Sequence, residues 1–440
     1  MAQRFCDIIE RKANGHELTE SEIAQFVEGF CSGEIPDYQA AAFIMAVYIN
    51  GMNATETAQL TDAMARSGDM LDLSGISGVK VDKHSTGGIG DKTTMILAPI
   101  IAACGGKIAK MSGRGLGFGG GTIDKLESIP SFNIALSEEA FIRNVNEIGL
   151  AVTGQTANVA PADKKIYAIR DVTGTANSVP LIASSIMSKK LASGADKFVL
   201  DVKVGSGAFF KDLDAARAVA RLMVQIGEHH GKETVAILTR MDRPLGRYVG
   251  NLLEVMETAE TLRGEGPADL TEVCLVLVTE MLTLAGKGTR DVCRARAEQS
   301  LHDGSAYKKF LEFIGRQGGN ADVLEHPWNY YEQPCSIVLQ AQSDGYFDVV
   351  NAEEIGRATV VMGAGRAKKD DKIDYTAGIV FHKAVGDAVR QGETLCEAFA
   401  ADAEKLKQSV PALRHAITLR KSRADIADRP LIYERIDRNS

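Results

Sequence analysis

Three times in this chain a short apolar run stops at a cluster of glycines, and that alternation most restricts how the chain can fold. Val79–Asp82 runs into Lys83-His-Ser-Thr-Gly-Gly-Ile-Gly-Asp-Lys-Thr-Thr94, Lys107–Met111 into a glycine-rich stretch ending at Gly120-Gly-Thr122, and Phe198–Val204 into Gly205-Ser-Gly207. Met95–Cys104, between the first two, is apolar enough for a buried helix. Strand, glycine loop, helix, strand, glycine loop is an α/β rhythm. Glycine also lets backbone N–H groups crowd around an anion where a Cβ would block approach. Lys83, Ser85, Thr94, Ser112 and Thr122 can add charge and hydrogen bonds there. The combination describes a cradle for phosphate.

The flanking text completes the architecture. Thr19-x-x-Glu22 is a capping box ahead of Ile23, Phe26, Val27 and Phe30, which share one helical face. Pro36 opens a second helix through Ala40–Ile49, and Asn53-x-x-Glu56 caps a third. Ala215–Ile226 and Leu270–Ala285 read as helices, Val235–Thr239 as a buried strand, and the text near His326-Pro327 as a linker. Beyond it, Ser336–Leu339, Gly345–Val350, Thr359–Met362 and Gly378–His382 read as short strands. The expected fold class is α/β: a helical domain plus a large α/β domain with a central mixed sheet, and a C-terminal α+β domain, barrel- or hammerhead-like. Its expected division places helical text at 1–65, an α/β phosphate-binding part at 66–158, a second helical part at 159–192, a second α/β part at 193–330 and the C-terminal domain at 335–440.

Composition narrows the function classes. A length of 440 residues calls for two or three domains, and a net charge of −8 argues against a general nucleic-acid binder. An acidic protein that binds phosphate must build positive potential locally, and Lys83, Lys92, Lys110 and Arg114 are the candidates to do so around the two loops. Seven scattered cysteines without a C-x-x-C pair favour reduced thiols over a disulfide framework. No apolar run approaches the roughly 20 residues of a membrane helix, and the N-terminus lacks the layout of a signal peptide. A cytoplasmic protein is expected.

Two familiar glycine motifs do not fit. Gly87-Gly-Ile-Gly90-Asp91-Lys92-Thr93 approaches a Walker A loop, but Asp91 puts a negative charge where phosphates would sit. Gly115-x-Gly117-x-x-Gly120 formally matches the dinucleotide fingerprint, yet the acid about twenty residues on, Glu138, follows Ser137 at what reads as a helix start. Among the eight histidines His84 is the best general acid or oxyanion stabiliser. An unperturbed pKa near 6.5 gives it access to both protonation states. Ser185 and Lys189 lie four apart on one helical face and, with Arg170, offer cationic groups to an anion or a carbonyl-rich ring.

Taken together these segments resemble the thymidine and pyrimidine nucleoside phosphorylase family over nearly the whole chain. The resemblance rests on Lys83-His-Ser-Thr-Gly-Gly, Ser112-Gly-Arg-Gly-Leu, Gly120-Gly-Thr-Ile-Asp-Lys-Leu-Glu127, Ala160-Pro-Ala-Asp-Lys, Tyr167–Asp171, Ser185 with Lys189-Lys190, Asp201–Phe209 and Gly363-Ala-Gly-Arg366. Gly264–Thr271 and Pro244-Leu-Gly look closer to the pyrimidine nucleoside branch. The resemblance implies reversible phosphorolysis of a pyrimidine (deoxy)ribonucleoside to the free base and an α-pentose 1-phosphate, by a homodimer that needs no cofactor and binds neither nucleic acid nor membrane. It implies catalytic roles for His84, Arg170 and Lys189, with phosphate held by Lys83, Ser85, Thr94, Lys110, Met111, Ser112 and Thr122. The pyrimidine would fall to Tyr167, Arg170, Ser185 and Lys189. A phosphoribosyltransferase of the same fold and a non-catalytic nucleoside- or phosphate-binding homologue are the alternatives.

Departures from that family's pattern carry expectations of their own. Phe118-Gly119 stand where the family has His-Thr, and Gly174, Ala176 and Asn177 stand where Ala, Val and Asp are usual. Most of these changes reduce side-chain volume, so an altered or enlarged pocket is expected, with a preference shifted from thymidine toward a substituted or non-standard pyrimidine nucleoside and with Leu116, Phe118, Gly119, Ala176 and Ile182 as specificity candidates. Some relatives bind a cation at positions that fall here on Gly90, Lys92, Leu245, Tyr248 and Glu257. Lys92 replaces a threonine there, so its ammonium is expected to take the cation's place and no metal is expected. Arg240 replaces a usual acidic residue. The Gly378–Gly386 text resembles a biotinyl-type hammerhead without a Met-Lys-Met carrier hairpin, which implies a structural role.

Overall fold

The computed structural model describes residues 4–115, 118, 120–156, 158–366, 368, 371–427 and 429–440. The chain opens with four helices, α1 (Phe5–Ala13), α2 (Glu20–Ser32), α3 (Asp37–Asn50) and α4 (Ala54–Arg66). Both capping boxes read from the sequence are present, Thr19 with Glu22 and Asn53 with Glu56. Glu56 does more than cap: its Oε1 takes the Lys12 ammonium at 2.8 Å and the Leu18 N–H at 2.9 Å, so one buried carboxylate ties α1, α4 and the turn between α1 and α2. Phe5, Phe26, Phe30 and Phe43 pack together in the centre, with Phe26 and Phe43 ring centroids 4.2 Å apart.

The α/β part follows in the order β1 (Lys80–Ser85), α5 (Thr93–Ala103), β2 (Lys107–Ser112), α6 (Thr122–Leu126), α7 (Glu138–Ile148), β3 (Leu150–Gly154). Two helices then rejoin the first four, α8 (Pro161–Thr173) and α9 (Val179–Ala192). The chain returns through β4 (Lys197–Val204), α10 (Leu213–His229), β5 (Thr234–Arg240), β6 (Tyr248–Gly250), α11 (Asn251–Leu262), α12 (Ala268–Leu284), α13 (Arg290–His302) and α14 (Ser305–Arg316). Among the described residues the central sheet has six strands in the order β13-β5-β4-β1-β2-β3, all parallel except β13 (Ile432–Ile436), which runs antiparallel along β5. The strand period of two divides the core. Phe198, Leu200 and Val202 pack against α9 and α10, whereas Val81, Val199 and Ile237 pack against α5 and α12.

The last part combines β7 (Cys335–Gln340), β8 (Gly345–Val349), α15 (Ala352–Met362), β9 (Gly378–Phe381), β10 (Ala388–Val389), β11 (Thr394–Ala400), α16 (Ala403–Ala416) and β12 (Ile417–Arg420). Its antiparallel sheets run β6-β9-β11-β7 and β10-β8-β12. Two segments cross the expected divisions. β6, from the α/β text, pairs with β9, while β13, from the C-terminal text, completes the central sheet.

One expected strand is corrected. Thr359–Met362 is the last turn of α15, not a strand. Asn351 caps that helix through the N–H groups of Glu353 and Glu354, and Ile355, Ala358, Thr359 and Met362 are buried at helical spacing. The β-branched run misleads because burial outweighs its local preference. The first strand also runs further than its apolar text, so Lys83, His84 and Ser85 are strand residues and not loop residues.

Glu56→Ala leaves the Lys12 ammonium, 3% exposed, without its carboxylate. Breaking a buried pair from one side costs about 3–5 kcal/mol, so the urea midpoint of the variant is expected to fall sharply. A midpoint equal to that of the parent would show that the pair contributes nothing.

Candidate active site

The parallel strands end along one edge, and the site is built there. The β1–β2 ladder consists of Lys80–Lys107 and Val81–Ile108 and stops, while β1 keeps pairing with β4 as far as Ser85–Asp201 and β2 with β3 as far as Ser112–Gly154. β1 and β2 therefore part beyond Val81 and Ile108. The backbone of Lys110, Met111 and Ser112 faces that cleft, with Lys83, His84 and Ser85 across it.

A network of charges fixes the β1 side. The Lys83 ammonium, 1% exposed, lies 2.5 Å from Thr93 Oγ1, 3.6 Å from Asp201 Oδ2 and 3.8 Å from Asp91 Oδ1. Ser85 Oγ donates to Asp91 Oδ2, and Thr93 Oγ1 donates to Asp91 Oδ1 at 2.6 Å. Asp201 in turn holds Lys203 at 2.7 Å and accepts from Thr239 at 2.6 Å. Burial pushes the Asp91 carboxyl up. The Lys83, Lys203 and Lys125 charges and the Ser85 hydrogen bond outweigh it and hold Asp91 well below its ordinary pKa. Thr93 and Thr94 open α5, whose N-terminal N–H groups and dipole favour an anion. Ser112 ends β2 and Thr122 opens α6. The residues expected to hold phosphate thus lie on two strand ends and two helix starts. Asp91, Thr93, Asp201 and Lys203 organise them and are absent from the sequence-based expectation, although Asp201 and Lys203 stand in one of the quoted family motifs.

The Lys110 side chain turns away from this cluster. Its ammonium donates to the Lys83 carbonyl at 2.6 Å and lies 3.2 Å from Asp82 Oδ1, while Lys190 meets Asp82 Oδ2 at 2.6 Å. Burial lowers the Lys110 pKa to about 7, helped by Lys190 and Lys83 and opposed by Asp82. The Lys190–Asp82 pair also fastens α9 to β1.

The other half of the site comes from α8 and α9. Arg170, 2% exposed, donates from Nη2 to the Ala176 carbonyl at 2.6 Å and from Nη1 to the Leu181 carbonyl at 3.2 Å, and its Nε has no protein acceptor. Its guanidinium carbon is 5.7 Å from the Tyr167 ring, which is half exposed. Lys189 Nζ is 2.6 Å from Asp163 Oδ2, whose other oxygen is buried without a donor. Ser185 and Ile182 are buried on α9. Asp163 escapes the sequence reading although it stands in the quoted Ala160-Pro-Ala-Asp segment. Leu116 and Gly119 lie outside the described residues. Phe118 packs under Lys211 and Arg357, with their charges 5.7 and 5.9 Å from its ring.

Two expectations change. Burial, and then the Lys190, Lys110, Lys83 and Lys189 charges, drive the His84 pKa well below 6.5. The imidazole is neutral at physiological pH, so it offers a neutral N–H and not a proton from an imidazolium. Gly174 is the left-handed cap of α8 at φ 71, and a Cβ there would meet nothing within 4 Å. Glycine at this position answers backbone conformation, which a side chain would strain.

Lys92 sits apart from both halves. Its ammonium reaches the Leu245 carbonyl at 2.8 Å, the Tyr248 carbonyl at 3.0 Å and Glu257 Oε2 at 2.6 Å. Burial pulls its pKa down, but Glu257 and Glu254 prevail and raise it. A Cβ on Gly90 would fall 2.7 Å from the same Leu245 oxygen. Among the described residues no group of three or more His, Cys, Asp or Glu could hold a metal, and no helix is long and apolar enough to cross a membrane.

The NMR titration of the His84 ring is expected to show a neutral imidazole at about pH 6, where an unperturbed histidine is mostly charged. An unfolded chain takes up this proton first, so His84 costs stability as pH falls below about 6.5 and costs none above it. A midpoint at or above 6.5 would contradict the assignment.

Comparison with known proteins identifies the family and the fold. Residues 7–68 match the model of the glycosyl transferase family helical bundle domain and residues 77–307 that of the family's α/β domain. Residues 346–420 match the pyrimidine nucleoside phosphorylase C-terminal domain. The chain is 52% identical over 393 residues to a pyrimidine-nucleoside phosphorylase of Geobacillus stearothermophilus, covering 89% of this chain and 91% of that one. It is 53% identical over the same length to the enzyme of that name from Staphylococcus aureus strain N315. A crystal structure of anthranilate phosphoribosyltransferase from Thermus thermophilus superposes with a TM-score of 0.57 at 19% identity, covering 71% of this chain and 100% of that one, and shows a shared fold.

Proposed function

The chain belongs to the glycosyl transferase family built from a helical bundle and an α/β domain, and on that premise we propose that it is a pyrimidine-nucleoside phosphorylase. A phosphate oxygen attacks C1′ of a pyrimidine (deoxy)ribonucleoside and forms the C1′–O bond. The electron pair of the C1′–N bond leaves with the base, which then takes up a proton. The products are the base and an α-pentose 1-phosphate. The reading is supported by the Lys190, Lys110, Lys83 and Lys189 charges that all act on the buried His84 ring, by Lys83 beside Thr93, and by the Lys190–Asp82 bridge that ties α9 to β1.

The roles follow from charge. As the glycosidic bond breaks, negative charge gathers on the ring, chiefly at O2 and N3, and C1′ becomes cationic. Arg170 and Lys189 stabilise the ring charge more in the transition state than in the ground state. Neutral His84 donates its N–H toward O2 and need not lose the proton. Lys83, Ser85, Thr94, Ser112, Thr122 and the Lys110–Met111 backbone hold phosphate, which neutralises C1′ as it attacks it. Ala176 and Ile182 border the base. Lys92 supplies a built-in cation where relatives use an ion. Since Asp91 accepts from Ser85, that hydroxyl holds the phosphate as an acceptor, from a P–OH of the hydrogen phosphate.

A homodimer fits the helical bundle. On α3, Tyr38 is 74% and Ile49 71% exposed, with Met45 and Tyr48 also exposed beside them. A patch of this kind marks an interaction surface. A cytoplasmic setting fits the seven free cysteines, four of them buried.

A nucleoside panel with and without phosphate is expected to release uracil or thymine only with phosphate, equally well without added potassium. Arg170→Ala is expected to lose about 100- to 1000-fold in kcat. Base release that ignores phosphate would refute the assignment, and dependence on potassium would refute the role of Lys92. In sedimentation velocity Ile49→Glu is expected to run as a monomer; an unchanged dimer would exclude the α3 face.

A further inference from the structure

Asp124 lies where three parts of the molecule meet. It belongs to α6, the short helix that follows the second glycine-rich stretch, and is 2% exposed. Its Oδ2 accepts the backbone N–H of Gly115 at 2.8 Å, and its Oδ1 accepts from Arg114 Nη1 at 3.0 Å and from Arg366 Nη1 at 2.9 Å. The carboxylate therefore pins the start of the stretch to the helix that ends it. The closure is tight, because a Cβ on Gly121 would fall 2.1 Å from the Gly115 nitrogen.

Arg366 comes from elsewhere. It follows α15 in the C-terminal part and reaches across to the α/β part. A second contact joins the same two parts: a Cβ on Gly356 of α15 would lie 3.0 Å from the Phe118 carbonyl oxygen and 3.2 Å from the Phe118 Cβ. Of the two arginines on Asp124, the Arg114 side chain is 47% exposed and that of Arg366 25%. Water screens the first pair more, so the distant residue supplies the firmer hold. Ser112 stands immediately before the stretch and Thr122 immediately after it. The bond from Gly115, three residues after Ser112, to Asp124, two residues after Thr122, therefore bears on the distance between these two hydroxyls.

We propose that Arg366, acting through Asp124, is a positioning residue for the oxyanion: the C-terminal part holds Gly115 against α6 so that Ser112 and Thr122 stand at the spacing a tetrahedral oxyanion requires. This rests on the phosphorolysis reading above. Arg366 touches neither substrate in this arrangement, and its effect is confined to the phosphate half of the site.

Kinetics with each substrate varied in turn test the assignment on Arg366→Ala, Arg366→Lys and Asp124→Asn. Arg366→Ala is expected to raise the KM for phosphate by up to about 100-fold and to leave the nucleoside KM near that of the parent, with Arg366→Lys recovering part of the loss. Hydrogen exchange of the Gly115 amide, which Asp124 holds, is expected to quicken in Arg366→Ala. An unchanged phosphate KM, or an equal rise in both KM values, would overturn the proposal. Should Asp124→Asn fail to fold, thermal stabilisation of Arg366→Lys by inorganic phosphate is read instead. Its midpoint is expected at a higher phosphate concentration than in the parent, and an unchanged midpoint would overturn the proposal. That measurement needs no turnover, so it separates failure of the positioning role from failure of the phosphorolysis reading, which inactivity of the parent on every nucleoside would expose.

Discussion

The buried ammonium of Lys83 has to be matched, and the edge of the sheet is organised around matching it. A charge 1% exposed is tolerated only beside opposite charge. Asp91 from the first glycine loop and Asp201 from β4 provide it, and each is balanced by a further lysine, Asp201 by Lys203 and Asp91 by Lys125 among its neighbours. Positive and negative groups thus alternate from β1 through α5 to β4. The network depends on the β1–β4 register that sets Ser85 opposite Asp201. Strand pairing and anion binding are here one requirement, since a shift of one residue would turn Lys83 and Ser85 to the opposite face.

The same logic governs the neighbouring face. Asp82 and His84 alternate with Lys83 and Ser85 along β1. Asp82 takes Lys110 from β2 and Lys190 from α9, and these lysines also surround the His84 ring. Burial, and then crowding by cations, removes the imidazolium that unperturbed chemistry would allow. What remains is a fixed neutral donor among positive charges, suited to a developing anion. Asp82 thereby serves the fold as a tie between the helical bundle and the sheet, and serves the site as the reason so many lysines can gather there.

Much of this is legible in the sequence because local rules and packing agree. Thr19 with Glu22 and Asn53 with Glu56 announce helices that exist, and each apolar run that stops at glycines is a strand of the central sheet. Thr359–Met362 misleads because propensity opposes burial, and only the cap at Asn351 marks it as helix. Within the site, the donors toward an anion are legible as lysines and hydroxyls in glycine-rich text. Their organisers are not. In the sequence Asp91 reads only as an obstacle to a Walker loop, and Asp163 and Asp201 carry no role, because an acid beside an anion site makes sense only once the cation it serves is seen. The charge state of His84 is hidden for a related reason: its pKa depends on four lysines from three separate segments. Arg240, for which the sequence offers no account, donates to the Arg429 carbonyl, and Arg243 donates to that of Ala427 at 3.1 Å.

Those two arginines guide the return of the chain to β5, where β13 seals the margin of the central sheet. β5 is encoded far upstream, so during synthesis its outer row of N–H and C=O groups waits, unpaired, while the whole C-terminal part is made. An open strand margin is a template for pairing with other chains. The late strand therefore acts as a closing seam. A chain that emerges without it would carry an intact anion cleft and still be the one that aggregates.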